Sequence, residues 1–198
     1  LEYEGEAHAH DHESEEEGAN AGHSHTVDPH VWLDPVLAQT EVSTIAEGLA
    51  EADPDNAEDY LENAGIYNGK LNELDEAYRA AFEGTENRTF VTQHAAFAYL
   101  AARYDLNQIS VTGLNAEVEP SAAALATLSD YVKANNISHI YFENNASSQT
   151  AETLAEEVGV ELAVLSPLEG ITEEDQKKGS DYISVMLDNL EALKKSIN

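Results

Sequence analysis

Four residues, far apart in the chain, carry side chains that bind cations or move protons. His30 lies in DPHVWLDP (residues 28–35), His94 in TQHAAFAYLAARY, Glu143 in IYFENN and Glu169 in VLSPLEG. Two imidazoles and a carboxylate at such wide spacing suit a tetrahedral cation, zinc above all. The chain has no cysteine, so disulfides and thiolate zinc sites are excluded and any metal must rest on His, Asp or Glu. Each residue also has a plainer reading. His94 reads equally as a histidine at a helix N-terminus bonded to backbone, Glu169 as a solvated loop acid, and His30 as a turn residue. Glu143 reads as an N-cap partner, or as an outer group that orients a ligating histidine, before it reads as a ligand. His139 opens a strand and is expected to face its edge or a neighbour. Trp32 and Tyr99 are expected to pack.

Five further histidines, His8, His10, His12, His23 and His25, sit upstream in a stretch of Glu, His, Ala, Gly and Ser. Residues 4–26 hold too few apolar side chains to offset the entropy of ordering them, so disorder is expected there. HAHDH and HSH on such a tether would capture a metal weakly, or serve only as a variable linker. His30 is of another kind. Proline fixes its own φ and turns its predecessor away from helix, so Asp28-Pro29 and Asp34-Pro35 hold His30 between two changes of direction.

Nine basic residues against 39 acidic ones give a formal net charge of -30. Nucleic acid is an unfit partner, because phosphate binding needs a basic face. Cations are attracted, although salt screens the attraction beyond about 10 Å, and so high a charge also serves solubility. No run approaches the roughly 18 apolar residues of a membrane span. The chain opens on LEYEGEAHAH without a signal-peptide pattern. It is expected to be a piece that lacks an N-terminal portion and its signal region.

These residues need elements to position them. A short helix is expected over 36–50. Asp53-Pro54 reads as an N-cap and first helical residue for a long helix reaching about Phe82. Its stripe is Ala57, Tyr60, Ala64, Tyr67, Leu71, Leu74, Tyr78 and Ala81, in alternating steps of three and four, so another element must pack along it. Beyond Gly84, strands at 89–92, 108–112, 139–142 and 161–165 alternate with helices at 94–104, 120–135, 147–158 and 180–197. That alternation indicates βαβ units and a four-stranded parallel sheet flanked by helices, an α/β fold. In such sheets ligands sit at the C-terminal strand ends. His94, Glu143 and Glu169 follow three of those ends, and His30 would approach from outside the sheet.

The acidic His-rich segment, DPHVWLDP, VTQHAAFAYLAARYDL, EVEPSAAAL, IYFENNASSQTAETLAEEVGV, PLEGI and DYISVMLDNLEAL together resemble the zinc-binding solute-binding proteins of bacterial ABC-type metal importers. That group is related to the manganese-binding adhesin lipoproteins. The resemblance implies two α/β lobes joined by one long helix, with the metal buried between them. By its terms, residues 1–26 are the His-rich loop and 27–52 the end of the first lobe. Residues 53–84 are then the linking helix and 85–198 the second lobe. His30 and His94 become ligands and Glu169 the expected fourth group. A further first-lobe histidine is expected to lie outside this chain. The resemblance implies zinc rather than manganese, because manganese relatives carry a carboxylate at the position of His94. It also implies a monomer outside the cytoplasm, periplasmic or lipid-anchored, that delivers its ion to a membrane permease. A zinc hydrolase and an adhesion protein with a structural metal are the competing classes. The first lacks support from any HExxH pattern.

Overall fold

The computed structural model describes residues 27–111, 114, 122–135, 137–143, 152, 155–171 and 173–198. The tail histidines His8, His10, His12, His23 and His25, most of EVEPSAAAL and the NNASSQ stretch lie outside the described residues.

A short 3₁₀ turn, Val31–Leu33, leads into helix α1, Pro35–Ala52. Asp34 caps α1, its carboxylate accepting from the backbone of Val36 at 2.8 Å and Leu37 at 3.4 Å, with Pro35 first in the helix. Helix α2 is Ala57–Phe82. The N-cap expected of Asp53 differs in detail. Pro54–Asn56 form a 3₁₀ turn, and the Asp53 carboxylate accepts instead from the Asn56 amide at 2.8 Å and the Tyr60 hydroxyl at 3.0 Å. The expected stripe is half-buried at Ala57, Tyr60, Ala64, Tyr67 and Ala81 and buried at Leu71, Leu74 and Tyr78. Helix α1 packs along it, as does the last helix of the chain. Gly84, at φ 75°, ends the long helix in the left-handed conformation.

The sheet is wholly parallel, in the order β2-β1-β3-β4. Its strands are β1 Thr89–Thr92, β2 Asn107–Ser110, β3 His139–Phe142 and β4 Glu161–Val164. The two-residue period of a strand sends alternate side chains into two cores. Phe90, Tyr141 and Ala163 join the larger core with Leu71, Tyr78, Leu100, Met186 and Leu193. Val91 and Ile140 join a smaller one with Leu128, Val132 and Val158. Helices α3, Ala98–Arg103, and α4, Ala122–Ala134, follow β1 and β2. Residues 152 and 155–158 are helical, consistent with the helix expected there. Two short helices close the chain, α5 Glu173–Lys178 and α6 Tyr182–Leu193. Periodicity does not announce α5, which has no apolar stripe to read.

The larger core runs without a break from Leu33 and Ala38 through α2 to Ile197. Buried hydroxyls stitch it together: Tyr78 donates to the Met186 carbonyl at 2.7 Å, and Tyr141 donates to the Ala192 carbonyl and accepts from the Ser196 hydroxyl, both at 2.9 Å. Among the described residues no helix is long and apolar enough to cross a membrane.

Candidate metal centre

Strand β1 has β2 on one side and β3 on the other, so the direction of strand order reverses between β1 and β3. That crevice is where an open α/β sheet binds ligands. His94 leaves the end of β1 and Glu143 the end of β3. The helix expected from His94 begins only at Ala98, because residues 93–97 form a bend. His94 is therefore a loop residue rather than a helix N-terminal one. Its ring is 1% exposed. Nδ1 donates to the buried Glu143 carboxylate. A histidine with one nitrogen so engaged presents the other as a lone pair. Nε2 of His94 is buried with no hydrogen-bond partner among the described residues.

His30 repeats the arrangement from outside the sheet. Its Nδ1 donates to Asp28 Oδ1 at 2.6 Å, and the same oxygen accepts from the His30 backbone N–H at 3.0 Å. Nε2 faces Glu169 Oε1 at 3.1 Å. The two imidazole centroids are 5.4 Å apart, with planes inclined by 63°. His94 Nε2 lies 3.8 Å from the same Glu169 oxygen. One donor atom from each of His30, His94 and Glu169 lies within 4.8 Å of the others. Zinc bonds of about 2.0–2.1 Å at tetrahedral angles put ligand atoms roughly 3.3 Å apart, so the three donors need to move little to share one ion.

The electrostatics favour a cation at that point. Burial alone would lower the His30 pKa, but hydrogen bonds to Asp28 and Glu169 and the charge of both carboxylates outweigh it and raise the value above 6.5. A lone pair and a carboxylate oxygen at 3.1 Å repel unless something positive sits between them, and a proton or a metal ion meets that need. Glu169 is the outer member, its side chain 36% exposed while both histidines are buried.

Long-range contacts hold the site residues in place. Glu169 follows Leu168, a non-glycine residue at φ 54°. Strain of this kind persists only where the surroundings impose it. Here Asn189 of α6 grips Ser166 twice, accepting from its N–H and donating to its carbonyl, each at 2.8 Å. Trp32 Nε1 donates to the Pro167 carbonyl at 2.9 Å, and Tyr182 donates to the Trp32 carbonyl at 2.6 Å. Trp32 thus packs, as expected, and also ties the His30 segment to the Glu169 loop. Arg103 of α3 closes on Asp34 through Nε at 2.8 and 3.0 Å and an outer nitrogen at 2.7 Å, fixing the far end of DPHVWLDP. Tyr99 donates to the Asp28 carbonyl at 3.2 Å. His139 stands apart, facing its sheet neighbour Glu161 at 3.4 Å and the Ser138 hydroxyl at 2.8 Å. Asp28, Ser166 and Asn189 were not among the candidates the sequence singled out. Only Asp28 left a sign, an acid two residues before a histidine, the spacing of an Asp side chain that bonds the backbone.

The fold and the three-donor crevice define a class, an α/β lobe with a candidate metal centre at the switch point of its parallel sheet. The chain belongs to the family described as zinc-uptake complex component A, periplasmic, whose model matches residues 1–196. It is 54% identical over 173 residues to the zinc-binding protein AdcA of Streptococcus pyogenes serotype M6, covering 87% of this chain and 34% of that protein. It is 50% identical over 174 residues to the high-affinity zinc uptake system protein ZnuA of Bacillus subtilis, covering 88% and 54%. Among solved structures, the Zn(II)-bound ZnuA-like domain of Streptococcus pneumoniae AdcA matches at TM-score 0.76 and 51% identity, over 85% of this chain and 63% of that one. The laminin-binding protein Lmb of Streptococcus agalactiae, described as a bifunctional adhesin with metal-transporting activity, matches at TM-score 0.77 and 36% identity, over 85% and 64%. This chain thus spans about a third to a half of the curated relatives it matches.

Proposed function

We propose that this chain captures zinc outside the cytoplasm and delivers it to an ABC-type permease in the membrane. His30, His94 and Glu169 hold the ion as cargo, and Glu143 fixes the His94 ring from behind. The observation that carries the reading is His94 Nε2. It is a buried imidazole nitrogen without a hydrogen-bond partner among the described residues, aimed at a point that His30 Nε2 and a carboxylate oxygen also reach. An unpaired polar atom in a protein interior is costly, and a metal ion satisfies it.

The donor set favours zinc over manganese, since imidazole nitrogens suit zinc and all-oxygen sites suit manganese. Family membership points the same way. Residues 53–84 act as the linking helix and 85–198 as one lobe. Residues 27–52 bring His30 from the other lobe, where a further histidine completes the set. An ion held by groups from both lobes favours the closed arrangement, which the permease distinguishes only if its affinity for the two forms differs. The tail histidines, His8 to His25, act as weak capture sites on a tether. The protein works as a monomer.

Catalysis is not part of the reading. A zinc hydrolase needs an open coordination position and a free general base. The two carboxylates behind the ligands, Glu143 and Asp28, are committed to His94 Nδ1 and His30 Nδ1. Zinc and manganese titrations of the chain, beside a His94→Ala variant, test the proposal. Preference for zinc that the substitution abolishes is the expected result, and equal binding by the variant would sink it.

A further inference from the structure

Asp28 is buried, yet only one of its carboxylate oxygens is used among the described residues. Oδ1 accepts both the His30 backbone N–H and ring Nδ1–H, at 3.0 and 2.6 Å. Oδ2 is buried with no hydrogen-bond partner among the described residues, in a residue 2% exposed. Turn formation does not require this. An asparagine oxygen would accept the same two bonds, and a buried carboxylate without full pairing is unfavourable for folding. A need for negative charge behind the imidazole would explain why an acid stands here. Such a charge makes Nε2 a stronger donor, and a cation bound at Nε2 offsets it through the ring.

We propose that Asp28 is a positioning residue for the metal. It sets the His30 ring so that Nε2 reaches Glu169 Oε1 at 3.1 Å, and its charge strengthens the His30 bond to zinc. With Glu143 behind His94, each histidine then has a carboxylate on its far nitrogen. The two supports differ in origin. Glu143 comes from another strand, 49 residues away, whereas Asp28 is built into the same turn as its histidine. The metal-binding unit is therefore Asp-Pro-His: the aspartate orients, the proline holds the turn and the histidine binds.

This rests on the reading of His30 as a ligand, so the test separates the two claims. Trp32 is the only tryptophan in the chain, and its ring lies 5.4 Å from that of His30. Its fluorescence reports zinc arriving at this site and not in the His-rich tail. The full chain and the variants Asp28→Asn, Asp28→Ala and His30→Ala are titrated with zinc against a chelator. The metal-free unfolding midpoint of each is measured as well. Loss of an outer-shell partner weakens metal binding by about 10- to 100-fold. Asp28→Asn should fall at the lower end of that range and keep the metal-free midpoint of the parent; Asp28→Ala should fall at the upper end. If Asp28→Ala does not fold, Asp28→Asn decides. Affinity within twofold of the parent in Asp28→Asn overturns the positioning role, as does a loss of affinity that only follows a lowered metal-free midpoint. A His30→Ala chain that binds zinc like the parent overturns the site itself.

Discussion

His30 and His94 have the same chemical need and meet it with different neighbours. Each imidazole gives one nitrogen to a buried carboxylate and keeps the other for the crevice. Glu169 is half-open to solvent, so its removal should cost less than removal of a histidine. Glu169→Gln is expected to weaken zinc binding while leaving it measurable, and His94→Ala to abolish it, by competition with a chromogenic chelator. The raised pKa of His30 fixes the sign of the pH dependence. Zinc needs the neutral ring, so affinity should fall as pH drops, and the fall should begin above 6.5 because the proton is held more tightly than by free histidine. In the metal-free protein the sign is opposite. Protonated His30 favours the fold below 6.5, and that contribution is lost as pH rises through the elevated native value. Metal-free stability curves that rise across this window would contradict the assignment.

At the scale of elements, the site stands on pieces whose own sequences differ in how plainly they read. The stripe on α2, the strand at 139–142 and Asp34-Pro35 at the head of α1 were legible because each depends on local pattern: a 3.6-residue period, a β-rich run, a cap before a proline. The start of α3 was not. The alanines after His94 favour helix, but the Phe97 N–H is taken by the Gln108 side chain of β2 at 3.1 Å, and the chain bends before it coils. Asn189 and Arg103 were silent for the same reason: their partners lie 23 and 69 residues away, and no periodicity encodes a long-range hydrogen bond. These contacts have measurable worth. Arg103→Ala breaks a charge-assisted pair with a buried aspartate and should lower stability by about 2 kcal/mol. In a domain of this size that shifts Tm by roughly 5 °C. Trp32→Phe keeps most of the packing but removes the donor to the Pro167 carbonyl. It should loosen the Glu169 loop and speed zinc dissociation in stopped-flow chelator experiments, with little change in the far-ultraviolet circular dichroism.

The whole molecule joins one sheet, one long helix and an acidic His-rich segment at the N-terminal end. A ligand that binds only the native state stabilises it by RT ln(1 + [L]/Kd), about 2.7 kcal/mol at a hundredfold excess over Kd. Zinc should therefore raise Tm in proportion to log concentration, and a chelator should reverse the rise. The class of fold was readable from the alternation of strands and helices. The same alternation placed His94 and Glu169, 64 and 139 positions after His30, at strand ends that His30 could approach. The choice of ligation over their plainer readings came from resemblance to a known family, because proximity across a crevice leaves no mark on local sequence. The tail remains the rival claimant for the ion, since it holds five of the eight histidines. The most direct measurement is zinc titration of the chain lacking residues 5–25, with and without His94→Ala. One tight site that survives the deletion and disappears with the substitution is the predicted result. Binding that vanishes with the deletion, or persists in the His94→Ala chain, would contradict the assignment of the site.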